Sequence, residues 1–212
     1  MSLIAYNSTI NTTQKKNRKI EFIVVHYTAG TTSLKNSALN NAKFFSKETT
    51  KASSDYIIDN EDVVQYNCDI KNRYTWHCGG SKLKGLGGSF YKICTNANSI
   101  GVELCSTSKS GKVENPNSNS WYFTEKVLES ATNLIASLMR SYNIPIENVI
   151  RHYDVTSKLC PGILGWNDDS SKWNEFKNNL NIRYKDYEIA ILKTENNILR
   201  YKLDSIKQIV SE

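Results

Sequence analysis

The chain has 212 residues, 39% of them hydrophobic and 23% charged, with a net charge of +6. That balance describes a soluble globular protein able to bury a sizeable core, either one large domain or a medium domain with an appendage. The 27 lysines and arginines are spread along the chain instead of forming one basic block. This suits a solvated surface, or attraction to an anionic polymer such as a cell wall or nucleic acid; of these two polymers, no nucleic-acid partner is expected. The opening residues Met1–Ser2–Leu3–Ile4–Ala5–Tyr6 lack a basic stretch followed by a long apolar one, and no segment is apolar for long enough to span a bilayer. Synthesis in the cytoplasm without a signal peptide, and no membrane partner, are the expectations. Five cysteines at irregular spacing argue against a disulfide framework and for a reducing compartment, with Cys68, Cys78, Cys94 and Cys105 as small buried apolar groups.

In chain order, the apolar, β-branched run from Ile20 to Val25 reads as a buried strand ending at His26, and Thr28–Thr32 as a loop. Ser33 is placed to cap a helix reaching about Lys47, with Leu34, Ala38, Ala42 and Phe45 along one face. Ser54–Ile58 and Val63–Tyr66 flank the polar turn Asp59–Asp62 and predict a hairpin. The segment from Gly79 to Gly88 holds five of the ten glycines and must be irregular. Ser99–Cys105 is another alternating strand, and residues 109–120 form a polar loop. Thr124 caps a helix with Val127, Leu128, Ala131, Leu134, Ile135 and Leu138 on its apolar face, ending near Tyr142. Trp173 and Phe176 mark a last short helix. Strands interleaved with helices imply an α/β fold, a central mixed β-sheet flanked by helices, occupying residues 1–180.

From residue 183 onward there is no Gly, Pro or Trp, and a helical, coiled-coil-like tail over 183–212 is expected. Ile189, Asn196, Leu203 and Val210 fall at heptad a positions and Leu192, Leu199 and Ile206 at d. An Asn at one a position fixes register in parallel pairs, and Glu188 would face Lys193, and Glu195 Arg200, of a second chain. Lys202 would face Lys207, which is unfavourable. Self-pairing as a homodimer through residues 189–210 is the expectation, against a helix folded back on its own domain.

The run Arg151–His152–Tyr153–Asp154–Val155–Thr156–Ser157–Lys158–Leu159–Cys160–Pro161–Gly162 places an imidazole, an amine and a thiol within nine residues, in a chain with three histidines. His and Cys are the donors that suit Zn²⁺, and the third is expected from His26. Three protein ligands and one open position describe a catalytic zinc and hence a hydrolase.

Val25–His26–Tyr27–Thr28–Ala29, Trp76–His77–Cys78–Gly79, Ser99–Ile100–Gly101–Val102–Glu103 and His152 through Gly162 occur in this order. Together, over about residues 18–178, they resemble the zinc-dependent N-acetylmuramoyl-L-alanine amidases of the type-2 amidase and peptidoglycan-recognition-protein family, phage endolysins and autolysins most of all. The resemblance implies a mixed sheet with helices around it, a zinc in an open groove, and peptidoglycan as the partner. The bond cleaved would be the amide between N-acetylmuramic acid and L-alanine. On the family's pattern His26, His152 and Cys160 match the zinc ligands, and Lys158 matches a lysine that steadies the oxyanion or donates a proton. Some relatives place a tyrosine base where this chain has Ser54, and many carry His where it has Asp55. The base is therefore assigned to Glu103, as in relatives with Ile–Gly–Val–Glu. His77, Asn98 and Thr156 are assigned to substrate binding, with Thr156 and Asp154 also orienting the ligand loop. A non-catalytic peptidoglycan receptor typically lacks the cysteine, which is present here. A cytosolic amidase recycling muropeptides would share every catalytic residue.

Overall fold

The computed structural model describes residues 2–30 and 36–211. The elements are β1 (Ser2–Ala5), β2 (Thr12–Gln14), β3 (Phe22–Tyr27), α1 (Ser37–Phe45), β4 (Tyr56–Ile58), β5 (Asp62–Gln65), β6 (Arg73–Thr75), β7 (Ser99–Leu104), β8 (Thr107–Ser108), β9 (Trp121–Tyr122), α2 (Glu125–Tyr142), β10 (Val149–Arg151), α3 (His152–Thr156) and α4 (Ser171–Ser211). Six strands form one mixed sheet in the order β1-β5-β4-β7-β3-β10. The pairs β4–β7, β7–β3 and β3–β10 are parallel, so four neighbouring strands end on the same side of the sheet. The β4–β5 hairpin is the antiparallel pair of this sheet. Its turn is held by Asp59, whose Oδ1 accepts from Glu61 N (2.9 Å) and Asp62 N (2.8 Å).

Strand β3 is buried along its whole length, which is why it reads as an unbroken β-branched run. Its side chains alternate between two layers. Ile23, Val25 and Tyr27, with Ile100, Val102 and Leu104 of β7, join the core under α2 and the start of α4. Phe22 and Val24 face the opposite layer with Cys78, Cys94, Ile150 and Val155. Helix α1 covers β4 and β5 on that second side through Ala38, Ala42 and Phe45. Thr124 caps α2 as expected, its Oγ1 accepting from Val127 N at 3.3 Å. The expected cap Ser33 and its neighbour Leu34 lie outside the described residues.

The end of the chain differs from a short helix followed by a separate tail. Trp173, Phe176 and Leu180 are buried, and Trp166 packs on Trp173 and Phe176 with ring centroids 5.4 Å away in each case. From there α4 continues without a break through the expected boundary at 180–183 to Ser211. Tyr187, under the guanidinium of Arg140 at 5.2 Å, is the last residue packed on the main core. Among the described residues no helix is long and apolar enough to cross a membrane. All five cysteines are free thiols; Cys78, Cys94 and Cys105 are buried as expected, whereas Cys68 is exposed in the turn after β5.

Candidate active site

The site forms where three parallel strands end. His26 is the fifth residue of β3 and Glu103 the fifth of β7, and the two are paired directly across the strands. His152 follows the last residue of β10 and opens α3. The carboxyl ends of parallel strands are where open α/β sheets bind ligands, because loops there can converge without a helix filling the crevice. The turn into α3 is fixed by Asp154, whose carboxylate accepts from Arg151 N (2.8 Å) and Nε (2.9 Å) and pairs with Nη2 at 2.6 Å. After α3, Ser157 takes a left-handed conformation, and Tyr153 N donates to Cys160 O at 3.0 Å, which folds the chain back toward His152.

This brings the three expected donors together. Ligand atoms of His26, His152 and Cys160 lie within 4.8 Å of one another, and all three residues are buried. His26 Nδ1 is 3.7 Å from Cys160 Sγ. A tetrahedral zinc with bonds of about 2.0–2.3 Å holds its donors roughly 3.3–3.6 Å apart, so small side-chain adjustments suffice. Polar satisfaction points the same way. Six buried side-chain polar atoms lack a partner among the described residues, and three of them, Glu103 Oε2, His152 Nδ1 and Ser157 Oγ, belong to residues lining this groove. Orphaned acceptors around two imidazoles and a thiol are what a cation would satisfy, so the donor set fits zinc.

The electrostatics agree. Burial, then the neighbouring His152, His77 and Lys158, holds His26 well below the usual imidazole range. Burial, then Lys158 and His77, brings His152 down to about 3. Both rings are therefore neutral at physiological pH, as ligands must be. Burial raises Cys160 to about 12, helped by Glu103, and raises Glu103 to about 8 against the pull of Lys158 and His77. A divalent ion among them would reverse both shifts.

The groove holds about 580 Å³. Lys158 is exposed on its wall, beside Leu159, and the irregular 79–88 segment contributes Leu83 and Lys84 to a lining that also includes Trp76 and Phe45. Tyr27 Oη donates to Pro116 O at 2.6 Å and ties the 109–120 loop to the rim.

The three residues assigned to substrate binding are placed differently. His77 borders the groove, but both ring nitrogens are taken by protein atoms: Nδ1 lies 3.1 Å from His26 Nε2 and Nε2 lies 3.1 Å from Ser99 Oγ. Burial lowers its pKa and Cys78 raises it, with a net upward shift. Asn98 precedes β7, at the opposite end of the strand from Glu103. Its Oδ1 accepts from Thr95 N (2.7 Å) and its Nδ2 donates to Ile93 O (3.0 Å) and Glu21 Oε2 (3.2 Å), so it is a turn residue away from the groove. Thr156 is buried on the far side of α3, where it lines a different depression, and its carbonyl accepts from Leu83 N at 2.8 Å. It orients the loop and does not face the groove. Asp55 points into the core, accepting from Gly101 N (2.8 Å), Thr75 Oγ1 (2.9 Å) and Asn67 Nδ2 (2.8 Å).

Residues 16–163 match the Amidase_2 family, described as N-acetylmuramoyl-L-alanine amidase. The chain belongs to this family. Among curated amidases it is 29% identical to CwlL of Bacillus licheniformis over 169 residues, covering 74% of this chain and 40% of that protein. It is 30% identical to CwlH of Bacillus subtilis over 159 residues, covering 75% of this chain and 52% of that protein. It therefore spans about half or less of the length of these relatives. The catalytic domain of XlyA superposes with a TM-score of 0.60 at 22% identity, over 85% of this chain and 99% of that domain, a likeness in fold. The match covers five of the six strands of the mixed sheet, α1, α2 and the segment from His152 to Ile163; β1 and all of α4 lie outside it.

What residue patterns did not reveal was the pairing of His26 with Glu103 and the contact of His77, backed by Ser99, with His26. The first depends on parallel register between strands distant in sequence, the second on where the irregular segment after β6 returns to the sheet.

Proposed function

We propose that this amidase-family chain hydrolyses the amide joining the lactyl group of N-acetylmuramic acid to L-alanine in peptidoglycan, with zinc held by His26, His152 and Cys160. The observation that carries this reading is the meeting of three zinc-type donors in an open groove beside Glu103, whose buried Oε2 has no hydrogen-bond partner. When bound, zinc would supply Lewis acidity toward the scissile carbonyl and a water molecule. Glu103 takes the water's proton as oxygen bonds to the carbonyl carbon. It then delivers that proton to the amide nitrogen as the C–N bond breaks, leaving a peptide amine and a lactyl carboxylic acid, whose remaining proton passes to the amine or to solvent to give the carboxylate. This requires the ionised carboxylate, which the nearby positive charge of the loaded site favours. Lys158, open to the groove, presents its ammonium to the negative charge that develops on the carbonyl oxygen.

The catalytic unit is residues 1–180, and residues 183–212 form a tail that pairs with a second copy. Support comes from the projecting half of α4, where Leu192, Leu199, Leu203 and Ile206 are each more than half exposed at heptad positions. Most helical stability in proteins comes from packing an apolar face, and in this half of α4 that face is uncovered.

Chelation should abolish clearing of cell walls and zinc should restore it; full clearing by the stripped protein would refute the metal assignment. Cys160→Ser should lose zinc and activity together. Mass spectrometry of digested peptidoglycan should find new N-terminal alanines on intact glycan strands, and glycan cleavage instead would refute the bond assignment.

A further inference from the structure

We infer that His77 and Ser99 are positioning residues that fix the tautomer of His26, so that its Nδ1 lone pair is bare and directed at the metal position. This rests on the zinc reading above and adds a role for two residues that do not themselves ligate.

With both imidazoles neutral, as under mildly alkaline conditions, the hydrogen-bond chain has one self-consistent direction. Ser99 Oγ lies 2.5 Å from Thr95 O, which can only accept, so the single hydroxyl proton is committed there. Ser99 Oγ must then accept from His77, whose Nε2 at 3.1 Å carries the proton. A neutral imidazole has one N–H, so His77 Nδ1 is an acceptor. The group facing it at 3.1 Å is His26 Nε2, which therefore holds the His26 proton. His26 Nδ1 is left unprotonated, 3.7 Å from Cys160 Sγ.

Three further features hold the relay in place. Asn96 Oδ1 accepts from both His77 N (3.0 Å) and Cys78 N (2.8 Å), fixing the backbone beneath the ring. The His77 ring stands edge-on to His26 at 5.3 Å between centroids and 88° between planes. Gly101 leaves the space the ring occupies, since a Cβ there would sit 2.7 Å from His77 Cγ. Ser99, Gly101 and Glu103 alternate along β7, so one strand face holds the relay at one end and the carboxylate at the other.

The test reads tautomers and metal affinity separately from turnover. Nitrogen-15 NMR of the metal-free full chain, under mildly alkaline conditions, should show His26 and His77 each protonated at Nε2. A His26 proton on Nδ1 overturns the relay, with no substitution needed. Ser99→Ala removes the acceptor and should weaken zinc binding about 10- to 100-fold in competition with a chromophoric chelator, the range for outer ligand-orienting groups. His77→Asn, which can offer its amide oxygen near the Nδ1 position, should keep more affinity than His77→Leu. Unchanged affinity in Ser99→Ala, or equal losses in the two His77 variants, overturns it. Wild-type protein with the expected tautomers and no zinc affinity would instead refute the metal reading and leave the relay standing.

Discussion

Gly101→Ala tests the packing behind the site most directly. The new methyl carbon would lie 2.7 Å from His77 Cγ, 2.8 Å from Ser54 Oγ and 3.0 Å from His77 Cβ. Non-bonded carbons settle at about 3.5–4.0 Å, so the ring must withdraw by roughly 0.8–1.3 Å. The strand cannot yield instead, because β7 is hydrogen-bonded on both sides and Gly101 N is held by buried Asp55. Overpacking of this kind costs about 1–3 kcal/mol. At roughly 2–4 °C per kcal/mol for a chain of this size, Tm should fall by about 2–12 °C. Withdrawal also stretches the contact to His26, so zinc affinity should drop about tenfold or more. Thermal unfolding of the metal-free protein and chelator competition measure the two effects. Gly30→Ala, whose nearest contact would be an ordinary 3.5 Å to Thr28 Oγ1, is the control. Wild-type Tm and zinc affinity in Gly101→Ala would show that the His77 ring does not occupy this space.

Glu103→Gln should retain zinc and lose about 10²- to 10⁴-fold in turnover, the usual share of a general acid–base group; turnover within a few-fold of wild type would move the base elsewhere. Lys177 Nζ donates to Val149 O at 2.7 Å and to Ile146 O, and burial lowers its pKa to about 8 from an unfolded value near 10.5. Between those values the unfolded chain binds more protons, so this group makes stability rise with pH across that window. The difference in unfolding free energy between wild type and Lys177→Met should shift toward wild type from about pH 8 to 10.5, as followed by urea titration, and curves that stay parallel would refute the shift. Leu199→Asp should convert a dimer to a monomer in light scattering while soluble muropeptides are still cleaved; an unchanged mass would dismiss the coil.

The elements legible in the sequence were those whose signal is local. The β-branched run of β3, the Thr124 cap with the 3.6-residue period of α2, and the polar turn of the β4–β5 hairpin each carry their own pattern. Strands β1, β2, β6 and β10 have three or four residues each and exist because a partner strand is there, so no window of sequence shows them. The three donors that meet in the groove could be picked out because His and Cys are scarce and chemically distinctive. The placements of His77, Asn98 and Thr156 could not, because they depend on which way a side chain points once strands have aligned. Asn98 illustrates this: its sequence neighbourhood touches the site strand, yet it lies at the end remote from His26 and Glu103.

The direct pairing of His26 with Glu103 has a consequence for folding. Strand side chains alternate, so β3 displaced by one residue along β7 would swing His26 into the layer that holds Val25 and Tyr27. Such a molecule could keep much of its backbone pairing and still offer no cation a home. On the zinc reading proposed above, metal uptake would report strand alignment, counting only molecules whose central ladder closed in the correct frame.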